Sequence, residues 1–214
     1  MGQKIKLAIK AEIIQREMEI LYPEAQCELN YTSALELLVA VMLSQQSTDI
    51  SINKLTKTLF KEYTSLDDYI NIPLSKLEAD LHHIGLYKNK AKNIKATALI
   101  VKKEYLGIFP NDQDKLERLP GVGRKTANVF LAEWYHEPRI AVDTHVKRVA
   151  TRLGLAKELD SVLVVENILM KLYVPDQWIK THHQFLFFGR YFCKAKKPRC
   201  SECSLINQCL KPFL

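Results

Sequence analysis

The chain has 214 residues, 47% of them hydrophobic and 26% charged. These values exclude a disordered chain and leave room for one large domain or two small ones with ample core. The net charge is +7, and it is unevenly placed: from Arg190 to Leu214, six basic residues (Arg190, Lys194, Lys196, Lys197, Arg199, Lys211) face Glu202 alone. Such a cluster suits either a polyanion partner or a solvated basic tail.

The opening stretch "MGQKIKLAIKAEIIQREMEIL" lacks a signal peptide's unbroken apolar core. No stretch approaches the roughly 18 consecutive apolar residues that would read as a membrane span. The expectation is a soluble, intracellular protein without internal repeats or low-complexity segments.

Apolar residues recur with a period of about 3.6 along nearly the whole chain, so the predicted elements are helices. The first covers Ile5–Leu21. Cys27 follows alone and reads as a small buried apolar residue. Ser33 precedes "ALELLVAVML" with Glu36 at capping-box spacing, which opens Ala34–Gln45. Thr48 or Asp49 opens Asp49–Tyr63. Leu66–Ile72, Leu74–His83 and Lys88–Tyr105 come next, with Gly85 and Gly107 in the place of C-terminal glycines. Asp114–Leu119 and Arg124–Tyr135 flank a glycine turn. "RIAVDT" is short and is the only strand-like piece. Asp143 stands before Thr144–Leu153, which Gly154 closes; Val162–Tyr173 and Gln177–Phe192 complete the set. The class is all-α with short loops, and contiguous sequence does not show where domains divide.

The glycine turn reads "LPGVGRKTAN". Pro120 fixes φ, while Gly121 and Gly123 allow positive φ and close backbone approach. The N–H groups at the following helix start are then free for a phosphate oxygen. This is a helix–hairpin–helix pattern, and a plain inter-helix turn stands beside it. Lys125 falls in the first turn of the second helix. A neutral amine is a nucleophile and an ammonium is not. The positive helix end and adjacent Arg124 both disfavour the ammonium, which suits a Schiff-base lysine. A lysine that only contacts phosphate is the commoner use. Asp143 lies 18 residues on; its plain role is to cap the helix from Thr144, and a capping carboxylate can also face a cleft.

Four of the five cysteines lie near the end with the spacing C-x6-C-x2-C-x5-C: Cys193, Cys200, Cys203 and Cys209. An intracellular setting disfavours disulfides and favours metal ligation. A single C-x2-C knuckle departs from a zinc ribbon, and four thiolates can equally hold an iron–sulfur cluster, so spacing leaves the metal open. The intervening "KAKKPR" carries four basic residues, Lys194, Lys196, Lys197 and Arg199. A metal-tied loop would hold them ready for phosphate at reduced entropic cost.

Taken together, "LLVAVMLSQQSTD", "IGLYKNKAKNI", "LPGVGRKTANV", "AVDTHVKRV", "HHQFLFFGRYFC" and the cysteine loop resemble, in order and over almost the whole length, the endonuclease III family of helix–hairpin–helix DNA glycosylases. The resemblance implies a two-lobed helical fold with a C-terminal iron–sulfur loop and DNA bound across a cleft. One lobe would cover 27–135; the other would join 1–26 to 136–214, with the cluster loop at 193–209. It implies Lys125 as nucleophile, Asp143 as its acidic partner, and the four cysteines as ligands of a 4Fe-4S cluster. Gln46 and Leu86 would fill the gap left by a flipped nucleotide. Gly121, Val122 and Gly123 would grip phosphate, with Arg124, His145 and the basic loop as further DNA contacts. The implied activity is excision of oxidised pyrimidines from damaged double-stranded DNA, followed by cleavage 3′ to the abasic sugar by β-elimination. The implied setting is a monomer, cytoplasmic and nucleoid-associated in a prokaryote, with no membrane partner. Gln45 departs from the pattern, standing where the family commonly has a small residue. The competing classes are a non-catalytic helix–hairpin–helix module and mismatch glycosylases. The joint presence of Lys125 and Asp143 argues against the first; Lys125, with no acid between Leu37 and Gln46, argues against the second.

Overall fold

The computed structural model describes residues 2–212. Eleven α-helices run through them: α1 (Gly2–Leu21), α2 (Ala34–Ser44), α3 (Asp49–Glu62), α4 (Leu66–Asn71), α5 (Leu74–Leu81), α6 (Tyr87–Glu104), α7 (Gln113–Glu117), α8 (Arg124–Tyr135), α9 (Thr144–Arg152), α10 (Val162–Leu172) and α11 (Trp178–Phe187). No strand forms among the described residues; residues 139–143 of "RIAVDT" belong to no regular element, and Thr144 opens α9. No described helix is long and apolar enough to cross a membrane.

The chain divides into two compact units. One comprises Met1–Cys27 with Pro138–Leu214, and the other Glu28–Glu137. In the continuous unit, α2 packs against α3, α6 and α8. Its residues Leu37 to Leu43 are all buried, as expected of a helix that is apolar all round. Each fully buried leucine here contributes about 1.5–3 kcal/mol. α6 lies against α4 and α5 and buries the stripe Lys90, Ala91, Ile94, Thr97, Ala98 and Val101. In the discontinuous unit, α1 offers Ala11, Ile14 and Met18 at helical spacing to a core that includes Val146 and Val149 of α9, Leu169 of α10 and Phe185 of α11.

Starts follow cap chemistry closely. Thr48 accepts from Ser51 N, and Asp143 accepts from both His145 N and Val146 N. Ser33 accepts from Glu36 N, but the Glu36 carboxylate turns to Thr32, taking its N–H at 2.6 Å. The box expected at Ser33 is therefore only half made. The complete one is Ser65 with Asp68.

Ends depart more. Gly107 and Gly154 adopt φ of +82° and +68°, as C-terminal glycines do. Near Gly85 the left-handed residue is Leu86, at +59°. Cys27 is half-buried rather than buried. The segment expected as one helix over Gln177–Phe192 is three: a 3-10 turn over Pro175–Gln177, then α11, then a π-turn over Phe188–Phe192. In that π-turn Cys193 N donates to the Phe188 carbonyl at 2.6 Å. Arg148 takes the Gly189 carbonyl at 2.5 Å, a partner that ordinary α-helical bonding would have used within the helix.

Candidate functional site

The glycine turn joins α7 to α8. Leu119 N donates to the Leu116 carbonyl and Val122 N to the Leu119 carbonyl, both at 3.0 Å. Val122 is buried, so it offers no side chain outward, and its amide is spent inside the turn. Gly121 has φ of +78°, and a Cβ there would meet Asn93 at 2.8 Å and Met42 at 3.0 Å. Both conformation and packing therefore require glycine. Gly123 differs from expectation: its φ is −98°, and a Cβ would meet nothing within 4 Å. Glycine there serves open access to the helix start rather than a left-handed turn. Lys125 and Arg124 are exposed in the first turn of α8, with Arg124 3.7 Å from Glu117. The N–H groups of this turn lack intrahelical partners by construction, so a cationic, donor-rich helix end faces solvent.

One face of α6 supports both this turn and a second loop. Thr97 Oγ1 donates to the Pro120 carbonyl at 2.9 Å, and Asn93 packs under Gly121. Lys90 is 5% exposed, and its Nζ donates to the carbonyls of Leu43 at 2.9 Å and Gln45 at 2.7 Å. Gln45 itself donates from Nε2 to the Gly121 carbonyl at 2.9 Å. Gln45 thus ties the end of α2 to the hairpin, a task that a small residue there could not perform. Gln46 and Leu86 are exposed, and both adopt left-handed φ, +58° and +59°. Reasoning from sequence missed Lys90 and Thr97. The available signal was a lysine on the apolar stripe of α6, where a cation needs buried acceptors.

In the other unit, Asp143 is half-buried and its Oδ1 accepts from His145 N at 2.8 Å and Val146 N at 2.9 Å. His145 is half-buried, with Nδ1 3.2 Å from Arg148 Nη2. Two arginines unnoticed in the sequence organise the cysteine loop. Arg148 Nε donates to the Cys193 carbonyl at 3.0 Å. Arg152 donates to the carbonyls of Cys193, Lys194 and Ala195 at 3.4, 2.8 and 3.2 Å, and to Cys193 Sγ at 3.3 Å. Burial, and then neighbouring Arg152, push Arg148 below the usual arginine range. Gly189 lies under α9; a Cβ there would come within 3.0 Å of His145. Lys194, Lys196, Lys197 and Arg199 are exposed. Arg199 pairs with Glu202 and lies 5.0 Å over the Phe192 ring.

Among the described residues no group of three or more His, Cys, Asp or Glu side chains gathers tightly enough to hold a metal ion. The four cysteines nevertheless line a single cavity, walled by Leu153, Phe188, Phe192, Pro198 and Ile206. Burial raises the Cys203 thiol above its ordinary value, and charge on Cys193, Cys200 and Cys209 raises it further. The four thiols share this cavity with Arg152, Arg199 and Lys211, and four sulfur donors on one short loop are a set of the kind that holds a metal centre.

The description "HhH-GPD superfamily base excision DNA repair protein" matches residues 39–175. Endonuclease III of Bacillus subtilis (strain 168) is 50% identical over 189 residues, spanning 88% of this chain and 86% of that one. A solved non-covalent endonuclease III–DNA complex superposes with a TM-score of 0.92 at 47% identity, covering 98% of this chain and 95% of the other. A trapped covalent endonuclease III–DNA intermediate gives 0.91 at 47% identity, with 98% and 96% coverage.

Proposed function

The chain belongs to the HhH-GPD superfamily of base excision DNA repair proteins, within its endonuclease III family, and from that premise we propose how its own residues carry out the chemistry. It is a base excision repair enzyme, a DNA glycosylase and abasic-site lyase working through a lysine Schiff base. Lys125 is the proposed nucleophile and Asp143 its acidic partner. The observation that carries the proposal is the placement of Lys125: exposed, two residues past Gly123, in the first turn of a helix whose start is open to a phosphate. Backbone grip and amine then share one turn, so binding the phosphate also aims the nucleophile.

The target base lies inside the duplex stack and must be extruded, at a cost of a few kcal/mol. Gln46 and Leu86 are proposed to offset part of that cost by filling the vacated space. The Lys125 amine attacks the sugar C1′, the C1′–N bond breaks, and the base leaves with its electron pair and a proton. The sugar ring then opens as the C1′–O4′ bond breaks and O4′ takes up a proton, and the resulting protonated imine between C1′ and Lys125 acidifies the C2′ hydrogen. Loss of that proton expels the 3′ phosphate oxygen and cuts the strand. Oxidised pyrimidines are the proposed substrates.

Cys193, Cys200, Cys203 and Cys209 are the proposed ligands of a 4Fe-4S cluster. Their shared cavity supports this, as does the Arg152 bond to Cys193 Sγ. In such a cluster each thiolate binds its own iron, so the four need not converge on one ion. When bound, the cluster supplies a rigid tie for the loop that presents Lys194, Lys196, Lys197 and Arg199 to phosphate.

The test is borohydride trapping on duplex DNA with one abasic site. Wild type is expected to give a covalent adduct, and Lys125→Ala none. Equal yields from the two would remove Lys125 from its role.

A further inference from the structure

Lys90 touches both loops that present the proposed stack-filling residues. Its backbone N–H donates to the Leu86 carbonyl at 3.0 Å, closing the first turn of α6 directly behind Leu86. Its Nζ donates to the Gln45 carbonyl at 2.7 Å and the Leu43 carbonyl at 2.9 Å, with Ser47 Oγ at 3.5 Å. Gln45 and Ser47 are the two neighbours of Gln46. A single residue therefore grips the main chain beside both Gln46 and Leu86.

Both of those residues sit in the left-handed region at +58° and +59°. A side chain there is strained and persists only where the surroundings over-determine it. The Lys90 side chain is part of that determination beside Gln46, and its backbone, in the first turn of α6, fixes that tie to the turn that follows Leu86. A lysine that merely capped the carbonyl end of α2 could do so from the surface with its head in water. Lys90 is instead 5% exposed, and the ammonium's three donors meet two carbonyls and a hydroxyl oxygen. Burial lowers its pKa, a cost that a plain cap would avoid. The Gln45 side chain adds an independent tie from the same loop to the Gly121 carbonyl.

We propose that Lys90 is a positioning residue that locks the Gln46 and Leu86 loops into one rigid two-pronged wedge, so that both prongs enter the stack together. The proposal rests on the stack-filling roles given to Gln46 and Leu86 above. Lys90 touches no substrate in this scheme and acts through them.

The experiment is single-turnover excision, enzyme in excess, from duplex DNA carrying one oxidised pyrimidine. The proteins are wild type, Lys90→Met, the pair Gln46→Ala/Leu86→Ala, and the combination of all three changes. Lys90→Met is expected to slow excision by about tenfold to a hundredfold, as misplaced groups do. The triple variant is expected to be no slower than the pair, because a brace with nothing left to aim adds nothing. Borohydride adduct formation on a single-stranded abasic oligonucleotide, which needs no unstacking, should match wild type. Unimpaired excision by Lys90→Met would overturn the proposal. So would a triple variant slowed by the product of the separate effects, or an equal slowing on single-stranded DNA, since each marks general damage. Should Lys90→Met fail to fold in a thermal melt, Lys90→Gln, whose amide can keep one carbonyl bond, carries the same comparisons under the same criteria. A wild type that excises nothing would overturn the glycosylase assignment and this proposal with it. An active wild type with an unimpaired Lys90 variant would overturn this proposal alone.

Discussion

The Gln46 loop and the cysteine loop are each held by cations bound to main-chain carbonyls, and the two are held differently. In the hairpin unit, the Gln46 loop is gripped by one buried ammonium, Lys90, where two carbonyls and a hydroxyl converge. In the other unit, the cysteine loop is gripped by the guanidinium forks of Arg148 and Arg152, where carbonyls are strung along Cys193, Lys194 and Ala195. A compact point charge suits converging acceptors, and a planar fork suits dispersed ones. The hairpin to which Gln45 ties that loop is closely packed: Gly121 fits against Asn93 and Met42 with no room for a methyl. Around the arginines the loop is mostly exposed, and its thiols share a cavity. The hairpin is thus held by packing as well as by charge, whereas the cysteine loop is tied to its unit chiefly by the two arginines.

That contrast can be broken by experiment. The largest expected effect is at the cysteines. If these thiols hold the proposed cluster, Cys203→Ala should release iron and lower the stability of residues 193–211 by about 3 kcal/mol or more. Amide hydrogen exchange should show that loss while α6 and α8 keep wild-type protection; equal loss in both units would erase the distinction.

Gly121→Ala comes next, at about 2–4 kcal/mol, from a left-handed φ and a methyl forced against Asn93. A denaturant melt measures it, and a neutral result would mean that the hairpin is not tightly packed.

Arg152→Ala should cost about 1.5–3 kcal/mol through its bonds to the loop carbonyls. Arg152→Lys should recover only part, because a point charge cannot span three carbonyls; full recovery would show that the fork is unnecessary.

Gly123→Ala should be the mildest for the fold, within about 0.5 kcal/mol, since its φ is ordinary and the space is open. On the proposed phosphate grip its methyl would stand in the path of that phosphate, so DNA affinity should fall roughly threefold to tenfold. Stability and affinity moving in opposite order at Gly121 and Gly123 would separate packing from access within a single turn.

Much of this was legible beforehand, for local reasons. Period and caps located the helices to within a few residues, because a helix start is settled by one side chain and the amides just beyond it, as at Thr48 and Asp143. The glycine turn, Lys125, Asp143 and the cysteine spacing were equally visible, since each is a residue type whose chemistry is read in place. The failures were also physical. Glu36 and Ser33 had the right spacing, yet the carboxylate found the Thr32 amide closer. Gly85 had the right type, yet Leu86 took the left-handed turn, with its carbonyl held by Lys90 N.

The sequence by itself determined an all-helical chain, a glycine turn followed by a lysine in the next helix's first turn, a capping aspartate and four thiols in one short loop. Only the tertiary structure decided what holds those pieces in place. Lys90 reaches Gln45 and Arg148 reaches Cys193, each across 45 residues of chain. Their acceptors are backbone carbonyls, which every residue carries and no residue type marks. A cation's charge can be read from its letter; its partner can be read only once the chain has folded around it.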